Sequence, residues 1–300
     1  MVQWNRKGEI LMIFEKAYAK LNLFLDIEGK RPNGYHNILS VMQTVDWFDE
    51  IYIRKNVSDD IVLGANSKDI PCGVNNTAYR AAVKYLEAIS EKCGVEIEIR
   101  KSIPVAAGMA GGSADAAAVL RGMNRLFDGR LSMDKLLELG ASIGADVPFC
   151  ILGGTKTVRG IGEEISPCEA SFPKSPILCA KLGEGISTPE AYRLLDERHG
   201  DFAAPKIHQS ALVSLLDGMK QKRAELAALG FFNIFEEVIG ALRPAVSEVK
   251  KIMCESGAIA AMMSGSGPSV FGVFKNEKEA EMARLRLVEL GAMTKICYPV

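Results

Sequence analysis

Ile103-Pro104-Val105-Ala106-Ala107-Gly108-Met109-Ala110-Gly111-Gly112-Ser113-Ala114-Asp115 joins an alternating apolar segment to an alanine-rich one. Before it, Val95, Ile97 and Ile99 alternate with Glu96, Glu98 and Arg100, the period of a half-buried strand. After it, Ala116 to Phe127 is rich in Ala, Leu and Met and free of proline, which predicts a helix. A strand, a glycine-rich loop and a helix together aim free backbone N–H groups and the positive end of a helix dipole at an anion. Gly108, Gly111 and Gly112 carry no Cβ, so a phosphate oxygen could approach the main chain. Ser113 can cap the helix or donate its hydroxyl to a ligand. The run has neither the Gly-Lys-Ser/Thr ending of a Walker A loop nor dinucleotide G-x-G-x-x-G spacing. Asp115, read as lying in the first turn, would compete with a phosphate for the dipole. Alone, the run fits a phosphate cradle or a close-packed turn.

Toward the N-terminus, Ala17, Ala19, Leu21, Leu23, Leu25 and Ile27 form an apolar face at period two, predicting a strand over Lys16–Ile27. The other face carries Lys20 and Asn22 side by side, and for one strand a solvated outer face is the simpler reading. A turn cluster, Gly29 to Gly34, precedes Tyr35-His36, a corner packing pair or an aromatic platform beside a polar reader. An apolar segment runs over Ile38–Val45, a strand is expected over Asp49–Arg54, and a helix over Asn75–Lys92. Ser132 caps a helix running to Ile143, and Gly144-Ala145-Asp146-Val147-Pro148-Phe149 reads as an Asx-type turn when seen by itself.

Beyond the Pro167–Pro176 crossing, Thr188-Pro189-Glu190 signals a helix start with Thr188 as cap, and Tyr192 falls in that helix. Leu212–Leu242 reads as helical with glycine breaks. Ala258–Met263, Ser264-Gly265-Ser266-Gly267-Pro268 and Ser269–Phe274 read as strand, turn, strand. Asn276 opens a last helix and Lys295–Tyr298 closes the chain as a strand. Interspersed strands and helices with hairpin turns indicate an α+β fold, and 300 residues suggest two domains.

A formal charge of −1 gives no electrostatic footprint for nucleic acid or an anionic membrane, so any phosphate site must be local. Seven scattered cysteines without a C-x-x-C pair suit a reducing cytoplasm and carry no zinc signature. Arg6-Lys7-Gly8-Glu9 is consistent with a purine-rich message just upstream of Met12, so translation is expected to begin near Leu11 or Met12.

Taken together, Ala19–Leu25, Arg31–His36, Pro104–Ala114, Gly144–Phe149 and Ser264–Pro268 resemble the motifs of the GHMP kinase superfamily, in order and spacing, from about Lys16 onward. The likeness is strongest to the branch that phosphorylates the 2-hydroxyl of 4-diphosphocytidyl-2-C-methyl-D-erythritol in non-mevalonate isoprenoid precursor synthesis. Ala106, Ala107 and Ala110 stand where that superfamily often has glycine, and Met109 where it has leucine. The resemblance implies an N-terminal ribosomal-S5-like α/β domain (1–164) and a C-terminal ferredoxin-like α+β domain (165–300). It implies ATP as co-substrate, held by Pro104 to Ala114, with Mg²⁺ accompanying it and its protein ligands unknown. It assigns Asp146 as base and Lys20 as its catalytic partner, and Asn22, Tyr35, His36 and Tyr192 to the cytidine-diphosphate-linked sugar alcohol. The competing readings are a homoserine- or mevalonate-type GHMP kinase and a GHMP-fold protein that binds ATP without chemistry.

Overall fold

The computed structural model describes residues 12–200 and 208–300, so Arg6 to Glu9 and Leu11, on which the expected translation start rests, lie outside them. The chain divides into two compact units, each discontinuous in sequence. One comprises the chain through Ala19, Trp47–Val105 and Ala110–Leu152; the other comprises Lys20–Asp46, Ala106–Met109 and Gly153–Val300. The expected boundary at Glu164–Ile165 falls inside the second.

The first unit contains parts of β1 (Met12–Lys30) and β2 (His36–Lys55), then β3 (Ile61–Ala65), α1 (Thr77–Ala88), β4 (Val95–Arg100), α2 (Gly111–Leu126), α3 (Met133–Ala141) and α4 (Val147–Leu152). β4 runs antiparallel to β2, with Ile51 opposite Ile99, and parallel to β3, with Leu63 opposite Ile97. The alternation in β4 buries Val95, Ile97 and Ile99 in one core with Ala117, Leu120 and Met123 of α2, while Glu96 on the other face pairs with Arg54 at 2.6 Å. α1 starts where the Asn76 side chain accepts from the Ala78 and Tyr79 amides. The apolar segment Ile38–Val45 and the expected strand Asp49–Arg54 belong to one strand, in which the Asp46 side chain accepts from the Tyr298 amide at 2.7 Å. β3 is short and pairs with β4 alone, and its few apolar residues carry no clear period.

In the second unit the chain adds β5 (Thr155–Gly160), β6 (Glu164–Pro167), β7 (Ile177–Lys181), α5 (Thr188–His199), α6 (Gln209–Lys220), α7 (Ala224–Ala228), β8 (Phe232–Asn233), α8 (Glu236–Leu242), α9 (Pro244–Glu255), β9 (Ala260–Met263), β10 (Val270–Val273), α10 (Glu277–Glu289) and β11 (Met293–Cys297). β5 pairs antiparallel with β2 and β6, and β8 pairs parallel with β1, Phe24 opposite Phe232. A separate four-stranded antiparallel sheet has the order β11-β7-β10-β9, the ferredoxin-like arrangement the resemblance implies. Two expectations are corrected here. Ser187, not Thr188, caps α5 by accepting from the Glu190 amide. Leu212–Leu242 is not continuously helical: a two-residue strand, β8, interrupts it beside β1. Among the described residues, no helix is long and apolar enough to cross a membrane.

Candidate active site

The reading of a solvated outer face for β1 does not hold. Lys20, Asn22, Phe24 and Asp26 are as buried as the apolar face behind them. Burying amine and amide groups is tolerable only where they are hydrogen-bonded, and a connected line of bonds does this. Lys20 Nζ donates to Asn22 Oδ1 at 2.7 Å, Asn22 Nδ2 donates to Ser40 Oγ at 2.9 Å, and Ser40 Oγ donates to the Phe24 carbonyl at 2.7 Å. The backbone ties β1 to the loop as well, through Lys20 N to Met109 O at 3.2 Å.

The turn after β9 meets the same loop segment. Ser264 Oγ accepts from the Asn22 amide at 3.3 Å and donates to the Gly108 carbonyl at 3.1 Å, and the Ser269 amide donates to Ala107 O at 3.2 Å. Gly108 has φ +74°, and a Cβ there would lie 2.2 Å from the Ser264 carbonyl oxygen. Glycine is therefore demanded at this position by the protein's own packing. Asn233, in the stretch expected to be helical, holds the turn from the other side: its Nδ2 donates to Met263 O at 2.7 Å and Gly265 O at 2.9 Å. Sequence reasoning missed Asn233, since an asparagine between Phe232 and Ile234 carries no motif.

α2 begins at Gly111, earlier than the expected Ala116, and its first intrahelical bond runs from Ala114 N to Ala110 O at 2.8 Å. The amides of Gly111, Gly112 and Ser113 thus precede the helical ladder, and a helix of 16 residues stands behind them. Ser113 is not the cap; Ala110 occupies that place in a left-handed conformation, without a side-chain bond. Ala106 is left-handed too, at φ 51°. Asp115 does not compete for an anion: it is buried within α2 and its carboxylate receives Lys101 Nζ at 2.8 Å. Burial pushes that carboxyl up to about 7 against the pull of the Lys101 charge. Along the loop Val105, Ala106 and Gly112 are exposed, Gly108, Ala110, Gly111 and Ser113 are half-buried, and Pro104, Ala107, Met109 and Ala114 are buried.

Asp146 stands directly before α4, its carbonyl accepting from the Cys150 amide at 3.0 Å, and its side chain is half-buried. Pro148 is accommodated in the first turn of α4, where a missing N–H costs nothing. The segment is therefore a helix start.

At the β1–β2 hairpin, Arg31 N bonds Tyr35 O at 2.7 Å. Tyr35 is 60% exposed and His36 is buried. The His36 ring stacks on Tyr192 of α5 with centroids 4.7 Å apart and planes at 14°, and its Nε2 lies 2.7 Å from Asp196 Oδ1. Asp196 also accepts from Lys30 Nζ at 2.9 Å. Burial raises the Asp196 carboxyl, but hydrogen bonds from Lys30 and His36 outweigh it and hold the group below the usual carboxylate range. Asp196 went unnoticed in the sequence because it follows Tyr192 at helical spacing inside an ordinary charged run. Tyr192 itself rests edge-on against Phe235, 5.0 Å away.

Residues 76–154 match the GHMP kinases N terminal domain and residues 208–292 the GHMP kinases C terminal. The chain belongs to the GHMP kinase family. Among curated members, the 4-diphosphocytidyl-2-C-methyl-D-erythritol kinase of Caldicellulosiruptor saccharolyticus is 43% identical over 91% of each chain. That of Clostridioides difficile is 40% identical over 91% of this chain and 90% of its own. A solved 4-(cytidine 5'-diphospho)-2C-methyl-D-erythritol kinase superposes with a TM-score of 0.79 at 30% identity, covering 96% of this chain and 100% of the other. The homoserine kinase of Cytophaga hutchinsonii shares the fold, with a TM-score of 0.75 at 19% identity over 96% of this chain and 94% of the other. Among the described residues, no group of three or more His, Cys, Asp or Glu side chains could hold a metal ion.

Proposed function

We propose that this GHMP kinase transfers the γ-phosphoryl group of ATP to the 2-hydroxyl of 4-diphosphocytidyl-2-C-methyl-D-erythritol. The observation that carries the reading is the buried line from Lys20 and Asn22 on β1 to Ser40 on β2, bonded through Lys20 N and through Ser264 to the glycine loop. Relatives at 40% identity and above that bear the name of this kinase support the choice of substrate.

The attacking oxygen gives its proton to Asp146 and forms the new bond to the γ-phosphorus, while the bond to the bridging oxygen breaks and ADP leaves with that electron pair. A loose phosphoryl-transfer transition state asks for alignment and charge neutralisation rather than covalent help. Lys20 meets that need at the attacking and transferring oxygens. Asn22 orients the Lys20 ammonium and helps hold the substrate. The free amides of Gly111, Gly112 and Ser113 receive phosphate oxygens, and the exposed part of the Pro104–Ala114 loop lies along the nucleotide. Mg²⁺ would accompany ATP and neutralise charge on its phosphates, and the Ser113 hydroxyl would serve as a protein ligand. The cytosine stacks on the exposed Tyr35 ring, and the His36–Tyr192 pair braced by Asp196 borders its edge. Free cysteines throughout the chain suit a reaction in the cytoplasm.

The test is ADP release with the diphosphocytidyl substrate against homoserine and mevalonate. Turnover with the first alone is expected; equal or greater turnover with either of the others overturns the substrate. Lys20→Ala is expected to cost about 3–4 kcal/mol of barrier, roughly 10²–10³ in rate. Folded Lys20→Ala or Asp146→Asn with near-normal turnover removes these residues from the mechanism.

A further inference from the structure

Beneath the start of α2 lies a buried cluster that neither the sequence motifs nor the proposed chemistry uses. Asp49 on β2, Lys101 just after β4 and Asp115 on α2 are all buried, with side-chain exposures of 0%, 7% and 5%. Lys101 Nζ contacts Asp49 Oδ2 closely and lies 2.8 Å from Asp115 Oδ2. Asp49 Oδ1 accepts from the amides of Ser102 and Ile103, at 2.5 and 2.8 Å. Those amides lead directly into Pro104. On the exit side, a Cβ on Gly111 would lie 3.2 Å from Lys101 Nζ. Lys101 is itself held by Asn66, whose Oδ1 accepts from its amide at 2.8 Å. Trp47 Nε1 adds a bond to Ser102 Oγ at 2.9 Å.

We infer that Asp49, Lys101 and Asp115 are positioning residues for nucleotide binding, a brace that ties the strand entering the glycine loop to the helix leaving it. Stability alone is a poor reason for such a cluster. Removing two carboxylates and an ammonium from water costs several kcal/mol per ion, and apolar replacements of like volume are often neutral or stabilising. What ions with fixed partners supply is direction. The Lys101 ammonium has one carboxylate on the sheet and one on the helix, so the first turn of α2 cannot slide or rotate against β2 without breaking a buried ion pair. The amides of Gly111 to Ser113 are thereby held where an incoming phosphate finds them. Asp115 sits one helical turn after Gly111, on the same side of α2, which is why its carboxylate reaches the lysine.

The inference rests on the ATP reading above, and the assay separates the two. Failure of the unmodified protein to turn over ATP overturns that reading. An active unmodified protein whose brace variants keep their ATP affinity overturns only the brace. Lys101→Met keeps the stem and removes the charge. It is expected to raise the KM for ATP about tenfold, within the ~10²-fold attached to a 1 Å misplacement, while the KM for the diphosphocytidyl substrate stays within twofold. Asp115→Asn retains an acceptor for Lys101 and is expected to stay within threefold of the unmodified protein for both substrates. Asp115→Leu has no acceptor and is expected to behave as Lys101→Met does, and it serves if the latter fails to fold. A KM for ATP within twofold of normal in a folded Lys101→Met or Asp115→Leu variant, or parallel rises in both KM values, shows a merely structural cluster and refutes the inference.

Discussion

Gly108→Ala should damage both stability and nucleotide use, and the size of each effect follows from the packing of the loop on the Ser264 turn. The new methyl carbon would lie 2.2 Å from the Ser264 carbonyl oxygen, 3.0 Å from Gly267 N and 3.2 Å from Gly267 O. All three neighbours are backbone, so no side chain can swing aside, and loop and turn must part by about 0.8 Å to reach even a 3.0 Å contact. Alanine at φ +74° adds about 1–2 kcal/mol of conformational strain, and overpacking adds about 1–3 kcal/mol. The total, about 2–5 kcal/mol, is read by urea unfolding. Gly129 supplies the control, because it has φ +73° and open space around its missing Cβ. Gly129→Ala should therefore cost only the conformational part, about 1 kcal/mol after the gain from a stiffer unfolded chain. In steady-state assays Gly108→Ala should lose on the order of 10² in kcat/KM for ATP, as a loop shift near 1 Å demands, and Gly129→Ala should stay near normal. If Gly108→Ala is no less stable than Gly129→Ala and keeps kcat/KM within threefold, the loop is not packed on the turn as described.

Ala110→Gly relieves a left-handed alanine at the start of α2 and should stabilise the protein by about 0.5–1 kcal/mol, strain relief minus glycine's unfolded-state entropy; a lowered urea midpoint would count against it. Asn233→Ala leaves the Met263 and Gly265 carbonyls without their shared donor, and a loss of about 2–4 kcal/mol with a raised KM for ATP is expected, whereas a loss under about 1 kcal/mol would show the turn to be held by other means. Tyr35→Ala should raise the KM for the diphosphocytidyl substrate roughly 5- to 150-fold, the equivalent of about 1–3 kcal/mol of base stacking, with little change in kcat; an unchanged KM argues against a cytosine platform. Asp115 binds a proton more tightly folded than unfolded, because its carboxyl is raised from 3.8 to about 7. Stability relative to Asp115→Asn should therefore fall as pH rises from about 4 through 7 and level off above. A difference that is flat or rising across that window refutes a carboxyl whose burial outweighs the Lys101 charge.

Local pattern alone announced much of this molecule. The alternation of Val95, Ile97 and Ile99 produces β4, Asn276 caps the last helix, and the runs on either side of Ser264–Pro268 pair as β9 and β10. These features depend on neighbours a few residues away, so a chain read in order displays them. Contacts across hundreds of positions are of another kind. Lys20 and Asn22 face outward in the pattern of one strand, and only the Ser40 hydroxyl and the Ser264 turn, 242 residues beyond Asn22, show why that face is dry. Asn233 and Asp196 have no local signature, because each takes its meaning from carbonyls or rings that another segment brings to it. Asp115 shows the division most plainly. Its position in the chain suggests a rival for phosphate, yet its direction is set by Lys101 and Asp49. Residue types and their period are inherited from the order of the chain, but where a side chain points, and whether its charge meets water or a partner, is decided by which distant segments fold against it.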